Sequence, residues 1–223
     1  ITKGIILLDT MRQHNCNQLI FSSTGSVYGE SQYLPIDEKH PQNPINPYGE
    51  SKLMFEKILK WYHQAYGLNY ITFRFFNAVG AWLQLGDHPG RHLINRILEG
   101  KISIYGKDYP TPDGTCVRDY VHVLDLARAI NLGIKRIDRF PNSVYNLGTG
   151  CGFSVLDVIH TVESITGYSI DYQIDKRRIG DPAILIADSE KAYQDLRWEP
   201  HSSQLRQIVQ DTIDFMEVSH GNN

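Results

Sequence analysis

The sequence predicts an α/β fold, with a parallel sheet flanked by helices and a smaller mixed α/β lobe after it. Over the first third of the 223 residues, apolar runs of strand length alternate with amphipathic helical segments, as they do in parallel β-α-β units. From about residue 77 the alternation becomes irregular, which indicates a second portion built from short strands and helices. Some segments of that portion are expected to return to the edge of the sheet.

The first portion is predicted to contain helix 2–14, strand 18–22, helix 47–66 and strand 69–75. The apolar side of the first helix consists of Ile5, Ile6, Leu7, Leu8 and Met11. Pro47 suits the first turn of the long helix, because no partner inside the helix awaits the N–H that proline lacks. The apolar faces of the long helix carry Leu53, Phe55, Ile58, Leu59 and Tyr62.

The second portion is predicted to hold three helices and three strands. The helices are expected at 90–99, 123–137 and 154–165, and the strands at 102–105, 144–147 and 169–174. The turn Gly148-Thr-Gly150-Cys-Gly152 follows one of these strands, and Asp171 comes about twenty residues later, which resembles a dinucleotide-binding arrangement. Two details count against that interpretation. The spacing is G-x-G-x-G, and Asp171 falls inside its predicted strand.

Composition sets mild bounds on function. The formal net charge of -3 and the pI near 6.3 argue against nucleic acid or an anionic membrane as the main partner. No apolar run approaches the ~20 residues of a membrane span. Cys16, Cys116 and Cys151 are widely spaced and are interpreted as free core thiols in a reducing cytoplasm. The nine histidines show no ligand spacing, so no metal site is predicted.

The most informative segment is Tyr48-Gly-Glu-Ser-Lys52. A Tyr and a Lys four residues apart share one face of a helix, so the ammonium can lie beside the phenol. A nearby positive charge favours the phenolate, and such a tyrosine can remove a proton from an alcohol near neutral pH. The alternative is a surface helix on which the two residues have no joint role.

A second polar cluster lies upstream of this helix. The apolar run Asn17-Gln-Leu-Ile-Phe21 is followed by Ser22-Ser-Thr24-Gly-Ser-Val-Tyr-Gly29. The run is expected to be a buried strand, and the hydroxyl residues are expected in the loop at its carboxyl end, where open α/β sheets bind ligands. A strand that delivers Ser and Thr hydroxyls and a helix that delivers Tyr and Lys together resemble the catalytic triad of the short-chain dehydrogenase/reductase superfamily.

Further motifs narrow the resemblance. They are residues 73–80 (FRFFNAVG), 106–114 (GKDYPTPDG), 117–123 (VRDYVHV) and 145–148 (YNLG). In this order they resemble the UDP-glucose 4-epimerase family of NAD-dependent epimerases and dehydratases, over nearly the whole chain to about Asp211. The resemblance implies that residues 1–76 form the carboxyl half of a Rossmann-type NAD-binding domain. It also implies that residues 77–223 form mainly a UDP-sugar-binding lobe.

Family members open with a strand, a glycine-rich turn and a helix N-terminus that holds the NAD pyrophosphate. This sequence begins at Ile1, inside an apparent helix, and shows no such segment upstream. We therefore expect either a fragment or a truncated product that lacks most of the cofactor site.

The resemblance also implies the roles of individual residues. Tyr48 would take the proton from the sugar 4-hydroxyl as a hydride leaves C4 for NAD. Lys52 would lower the pKa of Tyr48 and bind the nicotinamide ribose, and Thr24 would hydrogen-bond the reacting oxygen. The 4-keto sugar would then turn over and receive the hydride on its opposite face. Phe76 would border the nicotinamide.

The implied substrate site has two parts. Arg118 and Arg178 would bind the diphosphate, since guanidinium groups match phosphate oxygens, and Asn77 would donate to phosphate or sugar. Asp181 would accept from a ribose hydroxyl. The uracil slot would consist of Tyr105 and the backbone near His92 and Leu93. For each of these residues alone, the alternative is an ordinary surface or half-buried role. His122 is expected to anchor a turn.

Some positions depart from the family pattern. Phe75 stands where a Tyr is common, Asn95 falls where a Pro is frequent, and the loop 82–90 is short. Leu185 occupies the position whose bulk helps decide whether N-acetylated sugars fit. Because leucine is of intermediate size, it does not distinguish between plain and N-acetylated sugar substrates.

Three functions remain open from the sequence. They are a UDP-glucose 4-epimerase, a sister nucleotide-sugar enzyme such as a dehydratase, decarboxylase or UDP-N-acetylglucosamine 4-epimerase, and a non-catalytic UDP-sugar-binding remnant. Dehydratases usually carry an Asp-Glu pair after the Thr equivalent, where this chain has Gly25-Ser26. The resemblance further implies a homodimer formed through the Tyr-Lys helix and the helix before it.

Overall fold

A computed structural model describes residues 1–83, 85–86, 92–100 and 102–221. The helices are α1 (Thr2–Gln13), α2 (Pro47–Tyr66), α3 (Leu93–Leu98), α4 (Val123–Arg136), α5 (Val155–Thr166), α6 (Glu190–Leu196) and α7 (Leu205–Gly221). The strands are β1 (Gln18–Thr24), β2 (Asn69–Phe75), β3 (Asn77–Val79), β4 (Ile102–Tyr105), β5 (Val117–Arg118), β6 (Tyr120–His122), β7 (Ser143–Leu147), β8 (Phe153–Ser154), β9 (Tyr172–Asp175) and β10 (Ile184–Leu185).

A parallel sheet with the strand order β1-β2-β7 forms the centre of the first portion. Its central strand, β2, is buried on both faces because helices cover both sides. On one face Tyr70 packs with Leu8 of α1 and Leu59 of α2. On the other face Phe73 packs directly against Gly133 of α4. The carboxyl ends of the three strands therefore lie together at one edge of the sheet.

The second portion consists of small sheets around a separate apolar cluster. The pairs β3–β6 and β4–β9 are parallel, and β5 pairs with β10 and β8. Ile97 of α3, Val158 of α5 and Ile208 of α7 are fully buried in this cluster. Strand β7, which follows α4, returns to the first sheet, as the sequence predicted for part of this portion.

Most predicted elements are confirmed. Helix 47–66 and strands 69–75 and 102–105 have the expected bounds. Strand β1 extends two residues beyond the predicted strand 18–22, because Ser23 and Thr24 pair with Arg74 and Phe75 of β2. The predicted strand 169–174 begins only at Tyr172, so the placement of Asp171 within a strand is wrong.

Several side-chain predictions are corrected. Ile6 and Leu7, expected on the buried side of α1, are exposed, and only Leu8 of that helix is fully buried. The cysteines are free, as expected, but they are not core residues. Cys16 and Cys151 are exposed, and Cys116 is half-buried. Within the loop 82–90 and the predicted helix 90–99, residues 84 and 87–91 lie outside the described residues.

Candidate active site

Thr24 lies at the carboxyl end of β1 and begins the site. Its hydroxyl oxygen accepts a hydrogen bond from the N–H of Ser26 at 3.1 Å and so caps the short 3-10 turn Gly25–Val27. Thr24 is buried. The turn fixes the position of its Oγ1, because this atom replaces a backbone acceptor at the start of the helical turn.

The first turn of α2 packs onto this 3-10 turn. Asn46 caps α2 by accepting from the N–H of Gly49 at 2.8 Å, and Pro47 begins the helix. A Cβ atom on Gly49 would lie only 2.4 Å from the carbonyl oxygen of Ser26, so the contact requires glycine. This close approach brings Tyr48 to the carboxyl end of the sheet with 56% of its side chain exposed.

Lys52 lies one turn after Tyr48 on the same face of α2. Its Nζ is 5.9 Å from the centre of the Tyr48 ring and donates a hydrogen bond to the Ser22 carbonyl at 2.8 Å. Burial lowers the pKa of Lys52, because a half-buried ammonium is poorly solvated. The predicted helical pairing of a tyrosine with a cation is therefore present.

Thr24 and Tyr48 border a cavity of about 280 Å³. Its lining includes Thr24, Ser26, Tyr48, Phe76, Asn77 and His92. Leu185 also lines this cavity. The cavity thus brings the predicted acid/base tyrosine together with the predicted hydroxyl donor.

A second cavity, of about 240 Å³, contains the remaining predicted substrate residues. Its lining includes Asn77, Leu93, Tyr105, Arg118, Arg178 and Asp181. Asn77 lines both cavities, so they adjoin. Of the seven predicted substrate residues, only His92 faces the first cavity alone.

The second cavity is rich in cationic groups. Arg118 is buried and forms an ion pair with Asp181. The Arg178 guanidinium carbon lies 3.6 Å from the centre of the Tyr105 ring. Hydrogen bonds from Arg178 and Arg96 lower the pKa of the Tyr105 hydroxyl. Three arginines and one carboxylate around a concave surface are suited to an anionic ligand.

Arg96 was missed at the sequence level. It stands three residues after Leu93 on α3, so both side chains share the helix face that lines the cavity. The three-residue spacing from Leu93 could have indicated Arg96. A helix of six residues is too short to show a clear helical pattern in the sequence.

Comparison with known proteins identifies the family of this chain. Residues 2–148 match the NAD dependent epimerase/dehydratase family. The chain belongs to this family. It is 45% identical over 227 residues to a UDP-glucose 4-epimerase of Halalkalibacterium halodurans, covering 96% of this chain and 68% of the relative. Against a UDP-glucose 4-epimerase of Corynebacterium glutamicum it is 42% identical, with coverage of 96% and 68%.

A solved structure gives the same result for the fold. The UDP-glucose 4-epimerase from Bifidobacterium longum in complex with NAD+ and UDP superposes with a TM-score of 0.91 and 38% identity. The alignment covers 99% of this chain and 69% of that one. The chain therefore shares the Rossmann-type fold of these epimerases and spans about two thirds of their length.

Within this family fold, the glycine-rich turn at 148–152 holds an internal carboxylate. Asp119 is buried, and it accepts hydrogen bonds from the N–H groups of Thr149, Gly150 and Ala187 at 2.8 to 3.1 Å. A Cβ on Gly148 would lie 2.5 Å from the Asp119 carboxylate. Two backbone donors of this turn, the N–H groups of Thr149 and Gly150, are thus already used.

His122 anchors a turn, as predicted. It is fully buried at the start of α4, and its Nδ1 accepts from the N–H of Leu124 at 3.1 Å. In the ranges that the structure describes, no cluster of three His, Cys, Asp or Glu side chains could hold a metal ion. No helix of the same ranges is long and apolar enough to cross a membrane.

Proposed function

We propose that this chain carries the catalytic and substrate-binding residues of a UDP-glucose 4-epimerase, which interconverts UDP-galactose and UDP-glucose with NAD. The observation that supports this most directly is the continuity of the two cavities. Tyr48 and Thr24 border one, arginines border the other, and Asn77 lines both. A sugar attached to a nucleoside diphosphate needs both environments side by side.

Tyr48 is the acid/base group in this proposal. Its oxygen removes the proton from the sugar 4-hydroxyl, and Thr24 Oγ1 hydrogen-bonds the same sugar oxygen. The positive charge of Lys52 stabilises the phenolate that the step requires. NAD supplies a hydride acceptor and donor for C4 of the sugar when it is bound. Tyr48 returns the proton to the sugar oxygen in the reverse half of the reaction.

The residues present fit the nicotinamide end of NAD. The hydrogen bond from Lys52 to the Ser22 carbonyl uses one of the three N–H groups of the ammonium. The other two could donate to a ribose hydroxyl. Phe76 provides an apolar wall beside the cavity that Tyr48 borders. Residues 1–76 would thus form the cofactor-facing part, and 77–223 mainly the sugar nucleotide lobe.

Contacts to the UDP moiety follow from the second cavity. Arg118 and Arg178 would bind the diphosphate, with Asn77 donating to phosphate or sugar. Asp181, held by Arg118, would accept from a ribose hydroxyl. Tyr105 and the backbone at Leu93 would enclose the uracil, together with the backbone at His92, whose residue lines the first cavity.

The test combines binding and turnover in the 223-residue chain. UDP and NAD+ are titrated separately by calorimetry, and conversion of UDP-galactose is followed by proton NMR. We expect Tyr48→Phe to reduce turnover by at least about 100-fold without weakening UDP binding. Arg178→Gln should weaken UDP binding about 10-fold, because a charged hydrogen bond is lost.

The outcomes separate the alternatives. Epimerisation that depends on Tyr48 supports the proposal. UDP binding without NAD+ binding or turnover would instead indicate a UDP-sugar-binding remnant, and no UDP binding would contradict both functions. Because Leu185 lines the catalytic cavity, UDP-N-acetylgalactosamine is assayed beside UDP-galactose, and its preferred conversion would favour a UDP-N-acetylglucosamine 4-epimerase.

We also propose a homodimer in the cytoplasm. Several large apolar side chains are exposed on the two helices that precede and carry the tyrosine, among them Ile6, Leu7, Met54 and Trp61. A second copy of these helices would cover them. Three free cysteines support a reducing compartment.

A further inference from the structure

A buried ion pair lies directly behind the Tyr48–Lys52 face of α2. Arg74 of β2 donates to Glu56 of α2 through Nη2 at 2.6 Å and through Nε at 3.2 Å. Only 2% of Arg74 and 8% of Glu56 are exposed. The Ser23 hydroxyl also donates to Glu56 Oε1 at 2.5 Å, and Arg74 Nη1 donates to the Tyr28 hydroxyl at 2.8 Å. The carboxylate is therefore satisfied by three donors.

Lys52 stands one helical turn before Glu56. A cation and a carboxylate four residues apart on a helix are neighbours that commonly pair. In the described part of the chain, however, Glu56 is paired with Arg74, and Lys52 donates to the Ser22 carbonyl instead. The adjacent β1 residues 22 and 23 thus separate the two partners.

The choice between the two cations has an electrostatic reason. A buried carboxylate is costly unless a cation and hydrogen bonds compensate it. The planar guanidinium of Arg74 offers two donors to the two carboxylate oxygens, whereas an ammonium is a point charge that stays better hydrated. Without Arg74, the cations one helical turn from Glu56 are Lys52 and Lys60. Lys60 is exposed, whereas Lys52 is half-buried beside β1 and is therefore the candidate partner.

We propose that Arg74 is a positioning residue: by satisfying Glu56, it leaves Lys52 free for the catalytic tyrosine. This inference rests on the proposed function only for the role of Lys52 in the reaction. The pairing of Glu56 with Arg74, and not with Lys52, is a property of the chain and can be measured without turnover.

Several groups face this part of α2. From β1 come the Phe21 ring, 5.0 Å from Lys52 Nζ, and the Ser22 carbonyl. The titratable and charged side chains around the ion pair are Tyr28, Tyr48, Glu56, Tyr70 and Arg74. Glu38 also acts electrostatically on Tyr28, but it accepts from the N–H of Asn146. Glu56 is the carboxylate one helical turn from Lys52, so it is the group that can capture Lys52.

The experiment measures the titration of Lys52 by NMR of chain labelled with 13C and 15N at lysine. The variant Lys52→Arg identifies its signal. We expect Arg74→Met to raise the pKa of Lys52 by about one pH unit, because Glu56 becomes its partner. Glu56→Gln should lower the pKa of Lys52, because Arg74 then remains as an unpaired like charge.

The opposite directions separate the proposal from misfolding. Unfolding exposes Lys52 and can only raise its lowered pKa, so a decrease in Glu56→Gln cannot arise in that way. The double variant Glu56→Gln/Arg74→Met should return the pKa near its original value. A matched control is Arg128→Met, which removes the ion pair with Asp125 and should leave Lys52 unchanged.

The proposal is overturned if Arg74→Met does not raise the pKa of Lys52 in folded protein. The proposal is equally overturned if Glu56→Gln does not lower the pKa of Lys52. If Arg74→Met does not fold, the Glu56→Gln result alone tests the proposal. In a chain that epimerises, the acid limb of the kcat profile should also move to higher pH in Arg74→Met and return in the double variant. A chain without turnover would contradict the proposed function alone, because the NMR titration would still show whether Glu56 pairs with Arg74 or with Lys52.

Discussion

Asp119 shows what a single buried carboxylate does for this fold. It joins residues that are far apart in sequence, because Thr149 and Ala187 both donate to it. The substitution Asp119→Asn keeps the volume but places an N–H₂ group opposite the donors on one side. We expect a loss of about 2–5 kcal/mol in the free energy of unfolding, from two missing hydrogen bonds in a buried site. Urea denaturation measures it.

The exposed pair of Asp108 with Arg177 supplies the control for this prediction. Asp108→Asn should change the free energy of unfolding by less than about 1 kcal/mol, because exposed ion pairs contribute little. Equal losses in Asp119→Asn and Asp108→Asn would contradict the assignment of Asp119 as the centre of the turn.

Lys52 should make the stability of the chain depend on pH. Burial holds its pKa below the ordinary value of 10.5, so the folded chain binds this proton less tightly than the unfolded chain does. The stability contributed by Lys52 is therefore present above pH 10.5 and is lost as pH falls through the lowered folded pKa. We expect the unfolding free energy of wild type to rise relative to Lys52→Met between pH 8 and about 11.

That difference is measured by denaturant unfolding of both proteins at a series of pH values. A difference that stays constant or falls over this range would contradict the burial of the ammonium. The same measurement links stability with function, since the burial that destabilises a charged Lys52 also strengthens its effect on Tyr48.

At the residue scale, the sequence predicted the groups that act through local spacing. Tyr48 and Lys52 were found because four residues return a helix to the same face. Asp119 and the Glu56–Arg74 pair were not, because their partners lie on elements separated by 18 to 68 residues. Nothing local in the sequence distinguishes a buried charge with a partner from an exposed one.

At the scale of elements, the contact between α2 and the turn after β1 sets the distance from Tyr48 to Thr24. Gly49→Ala should improve helix propensity by about 1 kcal/mol, yet its Cβ would meet the Ser26 carbonyl at 2.4 Å. The helix must therefore move away from the strand end. We expect kcat to fall about 10- to 100-fold, since small displacements of catalytic groups are costly, whereas UDP binding should change little.

Gly133→Ala is the matched variant for this test. It introduces a similar contact, 2.8 Å from the Phe73 ring, between α4 and the other face of the sheet. It should reduce stability without a comparable loss of kcat. If both variants lose the same fraction of activity, the effect of Gly49→Ala is not specific to the strand–helix contact.

The elements themselves were largely predictable, and the exceptions have a physical cause. Helix 47–66 has its proline start and glycine end in the sequence, and both signals act locally. Ser23 and Thr24 look like a loop because they are small and polar, but pairing with β2 extends the strand. Strand length there depends on the neighbouring strand and not on local composition.

At the scale of the whole molecule, the order β1-β2-β7 could not be read from the sequence. Strand β7 joins the sheet after an excursion of about 70 residues through the second portion, and its short apolar run resembles many others. The return of β7 places Asn146 beside Arg74 in the sheet register. Topology of this kind depends on contacts between distant segments, so local patterns predict only that such a return occurs.

The exposed apolar face of α1 and α2 leads to a prediction about assembly. Trp61 is 69% exposed and Leu7 is 50% exposed, on helices that pack against each other. Such a surface on paired helices is suited to a four-helix contact with a second copy. We expect Trp61→Glu to convert a dimer into a monomer, because two buried carboxylates would face each other across the symmetric contact. Light scattering after size-exclusion chromatography measures the mass, with Tyr168→Glu as the control because Tyr168 is 76% exposed but lies beyond α5. A wild-type mass of one chain, or a dimer that survives Trp61→Glu, would contradict this interface.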